Sequence, residues 1–299
     1  MHRIFPRGGS VVCEDQPTVV RVTTITALRS RSGDPVRSTR NVDDLVSVVD
    51  RISVILESFK GAGPLTLSQI THKTGIPRST AHRLLEQLVE AQWVAREEHR
   101  YEFGTRSYEV GQWALNQNRL RHGALPVLNR LARSSGLTVH LAVLNKGDAL
   151  YLDRIPGRKP LSLPTKVGAR IPAHLTGVGK AILANLEPER MHDATAGPLR
   201  QSTPYSITSH ERLHEELERV RDHGVAMDRE ESVPGIGCVA TSIGPRDHHY
   251  GNRAAISVCG PIEDMKMNQL VGTVRIAARN IWDACVANDL KSGDHREAS

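Results

Sequence analysis

The chain of 299 residues lacks an uninterrupted apolar run long enough to cross a bilayer, which argues against a membrane span. Its first residues, MHRIFPRGGSVV, carry positive charge but no sustained apolar stretch, so a secretory leader is not expected and the expected compartment is the cytoplasm. Cysteine is scarce. Cys13, Cys238, Cys259 and Cys285 are widely spaced with no C-x-x-C pair, a pattern that suits reduced thiols better than a disulfide framework or a zinc knuckle. Neither an internal repeat nor a low-complexity tract is present. What remains, with 39% hydrophobic and 24% charged residues, is a globular composition of a length that suits two domains.

A net charge of +6 invites a nucleic-acid reading, but the charge is unevenly placed. Residues 1–42 carry +4 and residues 43–110 carry −2, so the bulk value decides little. Within the second block, however, no acid falls between Glu57 and Glu86, while Lys60, Lys73, Arg78 and Arg83 do.

That locally basic stretch has a readable pattern. Residues 1–42 show no helical period and are expected to be a mobile N-terminal tail. From Asp43, the residues Leu45, Val48, Val49, Ile52, Ile55, Leu56 and Phe59 predict an amphipathic helix stopped by Gly61, Gly63 and Pro64. A short helix from Thr66 should end at Gly75 in a left-handed cap. In GIPRSTAHRLLEQL, the residues Ala81, Leu84, Leu85 and Leu88 form an apolar stripe behind a polar start, with Pro77 near the helix start and Ser79 or a neighbour capping it. WVAREEHRYEF then reads as a β-hairpin. Helix, helix, glycine turn, helix, hairpin is the order of a winged helix-turn-helix over residues 43–104, whose third helix enters the major groove. Arg78, Ser79, Thr80, His82 and Arg83 are therefore the candidate DNA contacts, with phosphate or base edges as their partners.

Residues 105–122 read as a linker helix, 123–290 as a second domain mixing helices with closely linked strands, and 291–299 as a C-terminal tail. The strand-like segments lie near 138–144, 149–155, 225–228, 238–243 and 253–259, with helices over 124–134, 176–186, 209–222 and from Ile262 to about Ala287. Short strand connections predict an α+β class with an antiparallel sheet rather than a doubly wound fold.

Three motifs point towards enzymes. His210-Glu-Arg-Leu-His214 satisfies H-E-x-x-H, yet Leu213, Leu217 and Val220 form the docking stripe of its helix and leave both imidazoles on a wet face without a third ligand. Gly179-Lys180 ends like a P-loop, but His174 and Ala181 stand where glycine and a hydroxyl are needed. Cys238, in PGIGC, is a nucleophile only if a base activates it, and a buried strand cysteine is the plainer reading. No cofactor, metal or catalytic residue is expected; the alternative function is a small-molecule enzyme using Cys238 or a His210/His214 metal site.

Taken jointly, the motifs resemble the IclR family of bacterial transcription regulators from about Asp43 to Ala287. The resemblance rests on the N-terminal block from VVDRISVILESF to HRYEFG and on Gly224, Asp228, Glu231, Cys238, Val239, Ala240 and Ile243 at the family's intervals. RIPAHLTGVGKAILA is similar to the family's P-L-H-A-T-A-x-G-K-A segment with Ala173, Leu175 and Gly177 as substitutions, and ISVCGP resembles I-S-V-S-G-P with Cys259 in place of serine. Gly244-Pro245 departs from the pattern. The resemblance implies a GAF-like α/β effector-binding domain, a small organic-acid effector, a homodimer or dimer of dimers on double-stranded operator DNA, and regulation of a catabolic operon as a repressor or dual regulator. It places the effector around Gly168, Ala169, Asp228, Cys238, Ser257 and Cys259.

Overall fold

The computed structural model describes residues 47–158, 163–245 and 253–293. The expected tail over 1–42, the start of the first predicted helix with Leu45, and residues 294–299 lie outside them. The chain divides into two compact units, residues 1–84 and 85–299, with the boundary inside the third helix.

In the first unit, helix α1 (Val48–Ser58) starts at a capping box: the Ser47 hydroxyl accepts from the Asp50 N–H at 3.1 Å while the Asp50 carboxylate accepts from Ser47. Its apolar stripe is buried only in the second half, at Ile55 and at Phe59 just beyond; Val48 and Val49 are exposed. Strand β1 (Leu65–Thr66) leads into α2 (Leu67–Thr74), where Thr66 and Gln69 form a second capping box. Gly75 ends α2 at φ 71°, as its missing Cβ permits, and donates to the Thr71 carbonyl at 2.8 Å.

Helix α3 (Arg78–Glu90) follows at once. The Pro77 carbonyl accepts the Ala81 N–H at 2.9 Å, so Pro77 sits immediately before the helix and Ser79 lies inside it rather than at its cap. Ala81, Leu84, Leu85 and Leu88 are buried.

The second unit continues with the hairpin β2 (Val94–Glu97) and β3 (Arg100–Phe103), paired antiparallel from Val94↔Phe103 to Glu97↔Arg100. The expected linker helix over 105–122 is two helices. Helix α4 (Thr105–Gln117) stops because Asn118 is extended and turns its side chain to the Arg121 N–H at 2.9 Å, capping α5 (Arg119–Ser135). None of the residues of α4 is buried, and Tyr108 and Trp113 are 71% and 62% exposed.

An antiparallel six-stranded sheet follows, in the order β6-β5-β4-β9-β8-β7. Its strands are β4 (Thr138–Asn145), β5 (Asp148–Ile155), β6 (Arg170–Pro172), β7 (Ala226–Arg229), β8 (Ile236–Ser242) and β9 (Ala254–Pro261). Alternation decides which side chain faces where. Val139, Leu141, Val239, Ile256 and Val258 join the core with α5 and the closing helix α9 (Met267–Gly293). Ala142, Ala240 and Ala255 face the other way, where α6 (Gly177–Asn185) and α8 (His210–His223) cover the sheet. Helix α7 (Pro188–Thr195) and strand β6 are elements that the apolar periodicity did not predict. Helix α9 begins later than Ile262 because Pro261 is followed by a single 3-10 turn at Ile262–Asp264.

Candidate functional site

Two polar surfaces stand out. The first is the start of α3. Arg78, Ser79, His82 and Arg83 are exposed and Thr80 is half-buried, all on the helix whose opposite stripe is buried. A helix that docks through its leucines presents this end outward.

The second is a pocket in the second unit with about 20 Å³ of free space, room for about one water and far less than an ordinary ligand site holds. It forms where the small alanines that seat α6 on the sheet give way to polar residues: His140 on β4, Tyr151 on β5, Asp228 on β7, Cys238 on β8, and Ser257 and Cys259 on β9. The start of α6 closes it. Thr176 caps that helix, accepting from the Gly179 N–H at 3.0 Å, and a Cβ added at Gly177 would lie 3.3–3.8 Å from the Cβ atoms of Ala240, Cys238 and Asp228. Leu163, Pro164, Thr165, Ser232, Val233 and Ile236 complete the wall.

Burial sets the chemistry here. His140 is 1% exposed, and the lost solvation together with the Arg154 charge lowers its pKa to about 3, so the imidazole is neutral. Its Nε2 lies 2.8 Å from Thr165 Oγ1, while Nδ1 faces Ser257 Oγ and Cys259 Sγ at 3.5 Å each; donation to Thr165 leaves the Nδ1 lone pair turned to the cavity. The Tyr151 ring meets His140 edge-on, with centroids 5.2 Å apart, and burial raises its phenol well above the usual range. Asp228 is pushed up to about 7 by burial first and then by Glu231, although Lys180 and the N–H groups of Glu231 and Ser232 oppose the shift. The Glu231 N–H reaches Asp228 Oδ1 at 2.8 Å.

Behind Asp228, Lys180 is fully buried. Its ammonium donates to Glu231 Oε1 at 2.6 Å, the Met227 carbonyl at 2.7 Å and Glu216 Oε1 at 3.1 Å, joining α6 to α8 and β7. Among the described residues lining the cavity there is no lysine or arginine.

Four of the six residues that the resemblance assigned to the effector, Asp228, Cys238, Ser257 and Cys259, come together on this wall. Gly168 and Ala169 do not. Gly168 is exposed at φ 82° with its N–H given to the Tyr151 carbonyl at 2.8 Å, and the Ala169 N–H goes to Lys166, so both shape the turn into β6. The expectation of reduced thiols is also corrected: Cys238 and Cys259, opposite each other on β8 and β9, are joined by a disulfide. Their separation of 21 residues carries no motif; only strand register brings them together. His140, Tyr151, Thr165 and Thr176 went unread as site residues, although a histidine in the apolar run TVHLAVL was a usable signal.

His210 and His214 sit on the exposed face of α8, where His214 Nε2 lies 3.2 Å from Glu218 Oε1. Among the described residues no group of three or more His, Cys, Asp or Glu is arranged to hold a metal, and no helix is long and apolar enough to cross a membrane.

A helix-turn-helix with an exposed polar start, and a separate sheet domain enclosing a small cavity, define the class of transcriptional regulators that read DNA with one domain and a small molecule with another. Comparison with known proteins gives the family. Residues 48–98 match the IclR helix-turn-helix domain and residues 112–282 match the bacterial transcriptional regulator IclR C-terminal domain. The chain belongs to the IclR family. It is 30% identical over 260 residues to the acetate operon repressor of Salmonella typhimurium, covering 84% of this chain and 94% of that one. It is likewise 30% identical over 227 residues to the transcriptional repressor IclR of Escherichia coli, covering 73% and 82%. Among solved structures, an IclR homolog from Microbacterium hydrocarbonoxydans complexed with 4-hydroxybenzoate superposes with a TM-score of 0.72 at 27% identity, over 81% of this chain and 100% of that one. The protein is thus a transcriptional regulator, and the enzyme alternative built on Cys238 or His210/His214 is set aside.

Proposed function

We propose that this regulator binds operator DNA through Arg78, Ser79, Thr80, His82 and Arg83 and releases or tightens that grip when a small organic acid enters the cavity. The target is a catabolic operon, as the name of the acetate operon relative suggests, with repression as the expected mode. The observation that carries the reading is the convergence of His140, Tyr151, Thr165, Asp228 and Ser257 on one buried pocket, which has to widen from about 20 Å³ to admit a small acid. A carboxylate there would be met by the N-terminal end of α6 at Gly177 and Val178 and by the hydroxyls of Thr165 and Ser257, because no cation lines the wall among the described residues. Asp228, titrating near neutrality, can accept from a ligand hydroxyl or donate to a carboxylate. A relative that holds 4-hydroxybenzoate, an acid with a hydroxyl, supports this class of ligand.

A homodimer on a pseudo-palindrome fits the short reach of one winged helix and the exposure of Tyr108 and Trp113 on α4. The cytoplasm, where the operator is, is the expected place of action.

The test is an operator titration of wild type, Asp228→Ala and Ser257→Ala with and without 4-hydroxybenzoate and a series of short carboxylic acids. The expected result is an effector-induced shift of about 5- to 150-fold in wild type that is mostly lost in both variants, with effector-free affinity nearly retained. Variants that respond like wild type would move the effector elsewhere.

A further inference from the structure

We propose that Cys238 and Cys259 form a reversible dithiol–disulfide couple in the wall of the effector cavity, so that a small hydroperoxide entering it resets the regulator's affinity for DNA. The proposal rests on the reading of this cavity as the effector site. Three observations carry it. The two residues are directly opposed in the register of β8 and β9 with Cα atoms 4.3 Å apart, the close spacing of a cross-strand pair. Both side chains face α6, and both line the cavity together with Ser257 and His140. The bond also ties together two interior strands that pair from Ile236↔Pro261 to Ser242↔Ala255, so it brings together nothing that the sheet has not already joined. A structural staple would be redundant there. A regulator of bacterial DNA works among reducing thiols, where disulfides are mostly transient and redox-sensing. The remaining described cysteine, Cys285, belongs to the opposite core with α5 and α9 and does not line the cavity.

Access and chemistry agree. Cys238 and Cys259 are 9% and 3% exposed, so the cavity is the route by which an oxidant reaches them, and hydrogen peroxide is small enough to use it. His140 Nδ1, 3.5 Å from Cys259 Sγ, accepts the thiol hydrogen bond in the reduced state and aims the sulfur. The Cys259 sulfur attacks one peroxide oxygen; an S–O bond forms, the O–O bond breaks, and the departing hydroxide takes the thiol proton to become water. The Cys238 sulfur then attacks the resulting sulfenic acid; the S–S bond forms, the S–O bond breaks, and the second hydroxide leaves as water with the Cys238 proton. Two thiols lose two electrons, and one peroxide becomes two waters. Low-molecular-weight thiols return the pair by exchange, ending as their own disulfide. Oxidation removes two S–H donors from beside Ser257 and His140, in the wall that the start of α6 closes.

The test uses the full chain. After denaturation and iodoacetamide, reduced protein should carry four adducts by intact mass, for Cys13, Cys238, Cys259 and Cys285; protein first treated with hydrogen peroxide should carry two, and dithiothreitol should restore four. Unreduced proteolytic peptides of wild type should link Cys238 to Cys259, which requires no variant that must fold. Four adducts after peroxide, or a different linkage, overturns the couple. Genomic fragments selected by the reduced protein then serve as the DNA probe: its dissociation constant should differ by about five-fold or more between the two states in wild type and in Cys285→Ser, and by less than about two-fold in Cys259→Ala. Equal affinities with the bond formed would overturn the regulatory half. If reduced protein selects no DNA, the DNA-binding reading fails, while the adduct count still decides the couple.

Discussion

The start of α3 and the wall of the cavity are both polar, but they are polar in opposite ways. Arg78 and Arg83 stand in water, where a charge costs little and awaits a partner outside the molecule. His140, Asp228, Lys180 and Ser257 are almost wholly buried, and each is held by named neighbours. Removing a side chain from the first surface is therefore expected to cost DNA binding rather than stability. Removing one from the second strands its neighbours in a dry interior, so stability falls.

The largest effect that sharpens this contrast belongs to Lys180. Replacing it with Ala leaves Glu231 in a buried space with its cation gone, while Glu216 keeps Arg219 at 2.8 Å. Losing one partner of a buried ion pair costs about 3–5 kcal/mol, so the urea midpoint of Lys180→Ala should fall steeply. A shift no larger than that of a surface substitution, about 0.5 kcal/mol, would break the comparison.

Arg78→Ala and Arg83→Ala should reverse the pattern. Operator affinity drops by about 1–3 kcal/mol where the lost contact is to a base, and the salt dependence becomes shallower where it is to phosphate, while the urea midpoint stays put. Unchanged affinity and salt slope in both would remove α3 from the DNA.

A comparable contrast lies within the cavity wall. Asp228, raised from 3.8 to about 7, takes up a proton on folding across that window, so its contribution to stability declines as pH rises through it. His140, lowered from 6.5 to about 3, sheds a proton on folding, so its contribution grows as pH rises from 3 to 6.5. Between about pH 4 and 6.5 the two slopes, each up to about 1.4 kcal/mol per pH unit, oppose each other. Asp228→Asn keeps an oxygen for the Glu231 N–H and should expose the His140 slope: stability by urea titration should rise with pH over this window more steeply than in wild type. Parallel profiles would show that one of the two groups does not titrate as its surroundings require.

The smallest effect is local. Thr66→Ala removes the hydroxyl that accepts the Gln69 N–H at the start of α2 and should cost about 1 kcal/mol of thermal or urea stability. No measurable change would mean that the neighbouring N–H finds water as readily as it finds Thr66.

The same contrast explains what could be read from the chain. The α3 stripe, the Gly75 turn and the hairpin rest on neighbours a few residues apart, so their spacing was visible. The break at Asn118 was not, because an asparagine between two helical patterns announces neither its extended backbone nor its grip on the Arg121 N–H. The cavity was visible only in pieces. Its wall comes from strands whose order is not their chain order, so the meeting of His140 with Ser257 and of Cys238 with Cys259 depends on register, which one-dimensional spacing does not encode. Gly168 and Ala169 followed the family pattern into the site by position, but the Gly168 N–H is given to the Tyr151 carbonyl on β5 and the Ala169 N–H to the Lys166 carbonyl.

The buried ammonium of Lys180 has a consequence for motion. Helix α6 cannot lift from the sheet without breaking the three hydrogen bonds of that ammonium, and a side chain at Gly179 would collide with the Ala173 carbonyl. The end of α6 that closes the cavity is therefore pinned through Lys180 to α8 and to the end of β7. Under the proposed reading, a ligand arriving there would act on a helix start whose release breaks three bonds together.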